Sequence, residues 1–241
     1  PKETSILKGH NLSEKIFLDS FNSNNFHHAW LLSGPKGIGK ATFAFRIARY
    51  VLSKRISNNQ ELFTDDKKEI LSLDTPVDDI IFNKIISNSH ADLKVINLHT
   101  DDTSKSKQKK SISIAEIRTI KSFLNTTSAE GGWRIIIVDS MDDLTIKAEN
   151  ALLKSLEEPP KYTLIILISN NPSRLLQTTL SRCRKLPMKP LSNNITMELL
   201  KIYISDISED DAEVISILSE GSIGQALNLY QNDGINIFRE L

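Results

Sequence analysis

The run Gly34-Pro35-Lys36-Gly37-Ile38-Gly39-Lys40 constrains the fold more than any other part of the chain. It follows an apolar stretch with strand character and leads into a helical pattern, the order that a phosphate-binding loop requires. Glycines let the backbone curl so that N–H groups converge on phosphate oxygens, and the helix N-terminus adds partial positive charge. Lys40 is spaced to reach the outer phosphates. Such a loop sits at the carboxyl end of a parallel strand, so the remaining chain is expected to supply a parallel sheet covered by helices.

The hydrophobic pattern agrees. Candidate strands are residues 29–33, 93–98, 135–138, 164–169 and 184–187. The middle ones are apolar nearly throughout, as expected for strands covered on both faces. Three amphipathic stripes run between them: Ala44, Ile47, Ala48 and Val51; Ile114, Ile117, Ile120 and Leu124; and Ala148, Ala151, Leu152 and Leu156, the last ended by Pro159-Pro160. This alternation predicts an α/β P-loop domain over residues 1–190. Residues 197–203, 211–218 and 223–230 read as short helices, which predicts a small helical lid domain over 191–241. Two polar stretches lack clear periodicity. Residues 53–88 carry weak helical signals at 61–73 and 77–86, and residues 100–111 carry Lys105, Lys107, Lys109 and Lys110. The lysine run reads as a solvated loop, with a DNA-facing loop as the alternative.

Charge and cysteine content exclude several classes. The 30 basic and 30 acidic side chains cancel, so the basic footprint of a free-standing DNA binder is absent. Cys183 is the one cysteine, which excludes an intrachain disulfide and a cysteine-based zinc site and points to a reducing cytoplasm. Apolar runs are too short to span a bilayer, and no signal-peptide pattern opens the chain.

The phosphate loop carries defects. A Ser or Thr should follow Lys40 to bind Mg²⁺, but Ala41 does, and Thr42 lies one helical step on, about 100° around the axis. The strand at 135–138 ends in Asp139, the position whose carboxylate supports Mg²⁺. Ser140 comes next, and a hydroxyl is a poor general base. Asp142 and Asp143 lie further along and would need an unusual turn to take over. No cofactor is required by this reading. The loop is expected to hold ATP or ADP at most, with little or no hydrolysis, or to persist as architecture alone.

Several segments carry a resemblance. Residues 26–40, Phe-His-His-Ala-Trp-Leu-Leu-Ser followed by the glycine loop, resemble the opening of bacterial DNA polymerase III clamp-loader subunits of the delta-prime type, which are AAA+ proteins. Ser89-His90-Ala91-Asp92-Leu93 is similar too. Residues 150–160, Asn-Ala-Leu-Leu-Lys-Ser-Leu-Glu-Glu-Pro-Pro, resemble a signature shared by delta-prime and gamma/tau subunits, and Ser181-Arg182-Cys183 resembles the SRC motif of that group. The resemblance runs from about Gly9 to Leu227.

The resemblance implies a ring assembly that opens a sliding clamp and places it on primed DNA in replication, with gamma/tau and delta subunits as neighbours and no membrane partner. It implies that Arg182 is an arginine finger supplied in trans to a gamma/tau ATP site, where a guanidinium would neutralise phosphate charge. It places Asn170 at the sensor 1 position and Gly224 where ATP-hydrolysing relatives carry an arginine, and it lacks the Glu usual after Asp139. Ala41, Ser140 and Gly224 thus favour a stator-like delta-prime subunit of the polymerase holoenzyme over an ATP-hydrolysing gamma/tau-type subunit, the alternative. A small-molecule P-loop kinase explains neither the SRC motif nor residues 150–160. Many relatives insert a zinc module after the first helix, but residues 53–88 hold no cysteine, so no zinc is expected. The helical collar domain of the family is expected to be absent from the chain, which ends at Leu241. Cys183 and Trp30 are expected to pack in the core, and His27 and His28 to shape the approach to the first strand.

Overall fold

The computed structural model describes residues 1–23, 26–54, 72–76, 79–98, 111–232 and 234. Among them, five strands form one parallel sheet: β1 (Ala29–Ser33), β2 (Leu93–Asn97), β3 (Arg134–Asp139), β4 (Thr163–Ser169) and β5 (Arg184–Pro187). Their order is β2-β3-β4-β1-β5, so β1 lies between β4 and β5. Leu31 faces Leu167 on one side and Lys185 on the other. The helices in chain order are α1 (Asn11–Phe21), α2 (Lys40–Ser53), α3 (Ile80–Ile86), α4 (Ile114–Asn125), α5 (Ile146–Glu157), α6 (Gln177–Leu180), α7 (Asn193–Tyr203), α8 (Glu209–Leu218) and α9 (Ile223–Gln231).

Strand periodicity sorts the core into two layers. Trp30, Leu32, Ile135, Ile137, Leu164 and Ile166 face α1 and α2, packing on Phe17, Phe43 and Ile47. Leu31, Ile136, Val138, Ile165 and Leu167 face α4 and α5, packing on Ile117, Ile120 and Leu152. Burial on both faces explains why these strands read as continuous apolar runs. A third, smaller cluster of Leu200, Ile215 and Ala226 joins α7, α8 and α9.

Local chemistry sets the helix starts. Ser113 and Glu116 form a reciprocal capping box at α4. Thr145, Ser192, Ser208 and Ser222 cap α5, α7, α8 and α9 through their side chains. The first helix has no such signal: His10 makes no side-chain cap, and the buried face of α1 mixes Phe17 and Leu18 with Ser13 and Ser20. The hydrophobic pattern accordingly gives no prediction of α1. The weak signal at 77–86 becomes α3, capped by Asp79. Of the weak signal at 61–73, residues 61–71 lie outside the described residues, as do all four lysines of the 100–111 run.

The segment before β2 has a structural task. Asp92 accepts hydrogen bonds from Ser128 Oγ at 3.0 Å, Ala129 N at 2.9 Å and Glu130 N at 3.1 Å. These bonds close the turn that delivers the chain into β3.

Candidate nucleotide site and surface arginine

Three strand ends converge at the carboxyl edge of the sheet. β1 runs into the glycine loop, β3 ends at Asp139, and β4 runs into Asn170. They border a cavity of ≈ 620 Å³ whose wall includes Lys36, Gly37, Gly39, Lys40, Ala41, Thr42, Asp139 and Asn170. Gly34, Pro35 and Ile38 do not line it. Gly34 donates its N–H to Ser169 O at 3.3 Å, and the buried Ile38 offers its carbonyl to His10 Nε2 at 2.7 Å.

Lys40 opens α2 and is buried. Its Nζ donates to Gly34 O at 2.6 Å, to Pro35 O, and to Asn170 Oδ1 at 3.0 Å. Burial pulls its pKa down to about 8, against the opposing pull of the Asp139 and Asp142 carboxylates. The ammonium thus spends its donors on the carbonyls of its own loop and on Asn170.

The acidic side of the cavity is divided between two tasks. Burial raises the pKa of Asp139; Lys40 opposes this and the Asp143 charge adds to it. Ser140 Oγ donates to Asp142 Oδ2 at 2.9 Å and accepts from Asp142 N at 3.1 Å. The Asp142 carboxylate also accepts from Ser169 Oγ at 2.9 Å, Asn170 N at 2.5 Å and Asn171 N at 3.1 Å. It bolts the end of β3 to the end of β4 and has no lone pair to spare for a water. Burial pushes its pKa up, but these hydrogen bonds outweigh that and hold it below the usual carboxylate value. A 3-10 turn at Met141–Asp143 then brings Asp143 onto the cavity wall. Sequence spacing alone does not distinguish the two acids. The Ser140-x-Asp142 pairing is the local signal that marks Asp142 as structural.

For a Mg²⁺–nucleotide, the donor set fits poorly. Ala41 offers no oxygen where the ion would expect a hydroxyl, and Thr42 lies on the wall one residue further along. On the opposite wall the start of α9 rests on the loop. Gly224 donates its N–H to Gly37 O at 2.9 Å, and Ser222 Oγ donates to Lys36 O at 2.9 Å. A Cβ on Gly37 would lie 2.3 Å from Ser222 Oγ, and one on Gly224 would lie 3.0 Å from Gly37 Cα. Gly37 also has φ +81°, which a larger residue resists. Glycine at both places lets the first turn of α9 seat directly on the phosphate loop. An arginine at 224 would have to lift it.

Arg182 lies elsewhere, after α6 and before β5, and takes no part in the cavity wall. One terminal nitrogen donates to Thr178 O at 2.7 Å and to Ser181 Oγ at 3.4 Å. The other pairs with Glu157 Oε1 at 2.5 Å, with the two side chains 32% and 46% exposed. The arginine is therefore half-exposed and held by a surface ion pair, an interaction of the kind worth about 0–1 kcal/mol. Glu157 ends α5 and belongs to the 150–160 segment, whose pattern does not announce this pairing. Cys183 packs beside it in the core, where burial pushes the thiol pKa up to about 12, so it has no thiolate chemistry at neutral pH. His27 and His28 stack, with ring centroids 4.9 Å apart, and His28 Nε2 donates to Leu156 O at 2.8 Å. Among the described residues no cluster of His, Cys, Asp and Glu is placed to hold a metal ion, and no helix is long and apolar enough to cross a membrane.

Residues 9–192 match the family model described as DNA polymerase III, delta subunit. The chain is 27% identical to DNA polymerase III subunit delta' of Bacillus subtilis, over 91% of this chain and 58% of that protein. It is 28% identical to DNA polymerase III subunit gamma of Buchnera aphidicola from Schizaphis graminum, over 96% of this chain and 58% of that protein. It thus spans a little over half the length of these curated relatives. A Thermotoga maritima structure, a DNA polymerase III gamma subunit-related protein, superposes with a TM-score of 0.53 at 22% identity, over 90% of this chain and 56% of that one. At that identity the superposition speaks for the shared fold alone.

Proposed function

The chain belongs to the DNA polymerase III delta-subunit family of clamp-loader proteins, and from that premise we propose that it acts as a delta-prime-type stator. In this reading it hydrolyses no ATP itself and offers Arg182 to the ATP site of a neighbouring gamma/tau subunit. Its partners would be gamma/tau and delta subunits, and through the assembled ring a sliding clamp and primed DNA, in the cytoplasm.

Likeness to relatives does not separate the subunit types, because delta-prime and gamma proteins match almost equally well. The observation that carries the choice is the contrast between the two sites. The chain's own loop lacks the Mg²⁺ hydroxyl at Ala41, carries Ser140 in place of a water-polarising acid, and has Gly224 pressed on Gly37 where an arginine would need room. Arg182 stands half-exposed outside that site. A guanidinium aimed at a γ-phosphate across a subunit boundary is worth about 10³–10⁵ in rate.

One observation favours the second reading, an ATP-hydrolysing gamma/tau-type subunit: Asp143 faces the cavity beside Asp139. Steady-state hydrolysis by the isolated chain with Mg²⁺ and ATP decides between them. The stator reading expects no turnover above background. Turnover that disappears in Lys40→Ala would establish the second reading instead.

A further inference from the structure

We infer that Glu157 is a parking site for Arg182: its carboxylate holds the guanidinium on its own chain until a neighbour's phosphates replace it. This rests on the proposed trans role of Arg182 and adds a positioning residue to it.

Two features separate this pair from a chance surface contact. First, the fold builds it. Glu157 ends α5 and Arg182 follows α6, and these helices are tied together by the buried Glu149, whose Oε1 accepts from Leu176 N at 2.9 Å. The end of α5 is further fixed by the His28–Leu156 hydrogen bond of 2.8 Å. The carboxylate and the guanidinium therefore face each other across a frame set by backbone and buried contacts. Second, the pair consumes donors that the trans role needs. Both terminal nitrogens of Arg182 are engaged, one by Glu157 and the other by Thr178 O and Ser181 Oγ. A planar guanidinium cannot give the same N–H groups to a carboxylate and bidentately to a phosphate. A phosphate that takes the Nη2 donor facing Glu157 therefore has to displace the carboxylate. The partial exposure of both side chains leaves a phosphate oxygen able to compete, and only side chains need to move.

The parked form lowers the fraction of competent finger, and kcat/KM at the neighbouring site falls by the same fraction. An exposed ion pair supplies a parked-to-free ratio that makes this effect about twofold to sixfold. The test is clamp- and DNA-stimulated ATP hydrolysis in a reconstituted clamp loader containing the complete protein, with KM for ATP and kcat measured separately. Glu157→Gln is expected to raise kcat/KM by about two- to sixfold, and Glu157→Asp, which keeps the charge, to stay near the wild-type value. In an Arg182→Ala background Glu157→Gln is expected to have no effect. If Glu157→Gln leaves kcat/KM at the wild-type value or lowers it, parking is overturned while the trans role stands. An effect that persists without Arg182 overturns it too. If Arg182→Ala itself leaves turnover untouched in an assembled complex, the trans role falls and parking falls with it.

Discussion

Gly37→Ala isolates the contact between the glycine loop and the start of α9. The substitution carries two costs that the structure allows to be separated. One is backbone: at φ +81° an alanine is in the left-handed region, which costs about 1–2 kcal/mol. The other is contact. The new methyl would lie 2.3 Å from Ser222 Oγ and 3.2 Å from Gly224 Cα, so the serine must swing away. Ser222 would then lose its bond to Lys36 O and its cap on Gln225 N, at about 0.5–1.5 kcal/mol for the first and about 1 kcal/mol for the second. The Gly224 N–Gly37 O bond is threatened as well. The total is about 3–5 kcal/mol. Gly131→Ala is the control, because Gly131 has φ +68° but nothing within 4 Å of an added Cβ, so it carries the backbone cost alone, about 1–2 kcal/mol. Urea denaturation should place Gly37→Ala about 2–3 kcal/mol below Gly131→Ala. Hydrogen exchange should show amides at the start of α9 losing protection first. Equal stabilities for the two variants, within about 0.5 kcal/mol, would refute the claim that α9 is seated on the loop.

Asp142→Asn should cost about 1–3 kcal/mol at pH 7, because an amide cannot accept all the hydrogen bonds that the carboxylate takes. The folded pKa of Asp142 lies below its unfolded value, so this advantage is complete above about pH 5 and is lost as pH falls through the folded pKa. Urea titrations of both proteins at pH 7 and pH 3 should show the gap narrowing. Lys40 has the opposite sign: its pKa falls from 10.5 unfolded to about 8 folded, so the unfolded chain binds more protons between those values. Wild-type stability relative to Lys40→Met should rise by about 1–3 kcal/mol between pH 7.5 and pH 10.5, measured by denaturation across that range.

The three central strands were legible because a sheet buried on both faces writes itself as unbroken apolar runs, as at 135–138 and 164–169, whereas the edge strands β2 and β5 carry Lys94, Arg184 and Lys185 and are only partly buried. The glycine loop was legible because backbone curvature demands glycine at fixed spacing. Helix α1 was not, because half of its buried face is serine and its start lacks a capping side chain. The site was legible in its parts and hidden in its assembly. Nothing local in Gly37 or Gly224 announces that residues so far apart in the chain touch through their backbones. Asp142 and Asp143 are adjacent acids of identical chemistry, and the 3-10 turn with its Ser140–Asp142 pairing assigns one to the scaffold and the other to the cavity. The partner of Arg182 was hidden for the same reason: Glu157 lies 25 residues before it and meets it only once α5 and α6 are packed.

The proposed stator role requires that the half-exposed Arg182 guanidinium works on another subunit's nucleotide. The direct measurement is clamp- and DNA-stimulated ATP hydrolysis by a reconstituted clamp loader in which this protein carries Arg182→Ala, with assembly verified by gel filtration. Turnover should fall by roughly tenfold or more, less than a single finger is worth because other ATP sites in the ring dilute the loss. An unchanged rate in a completely assembled complex would contradict it.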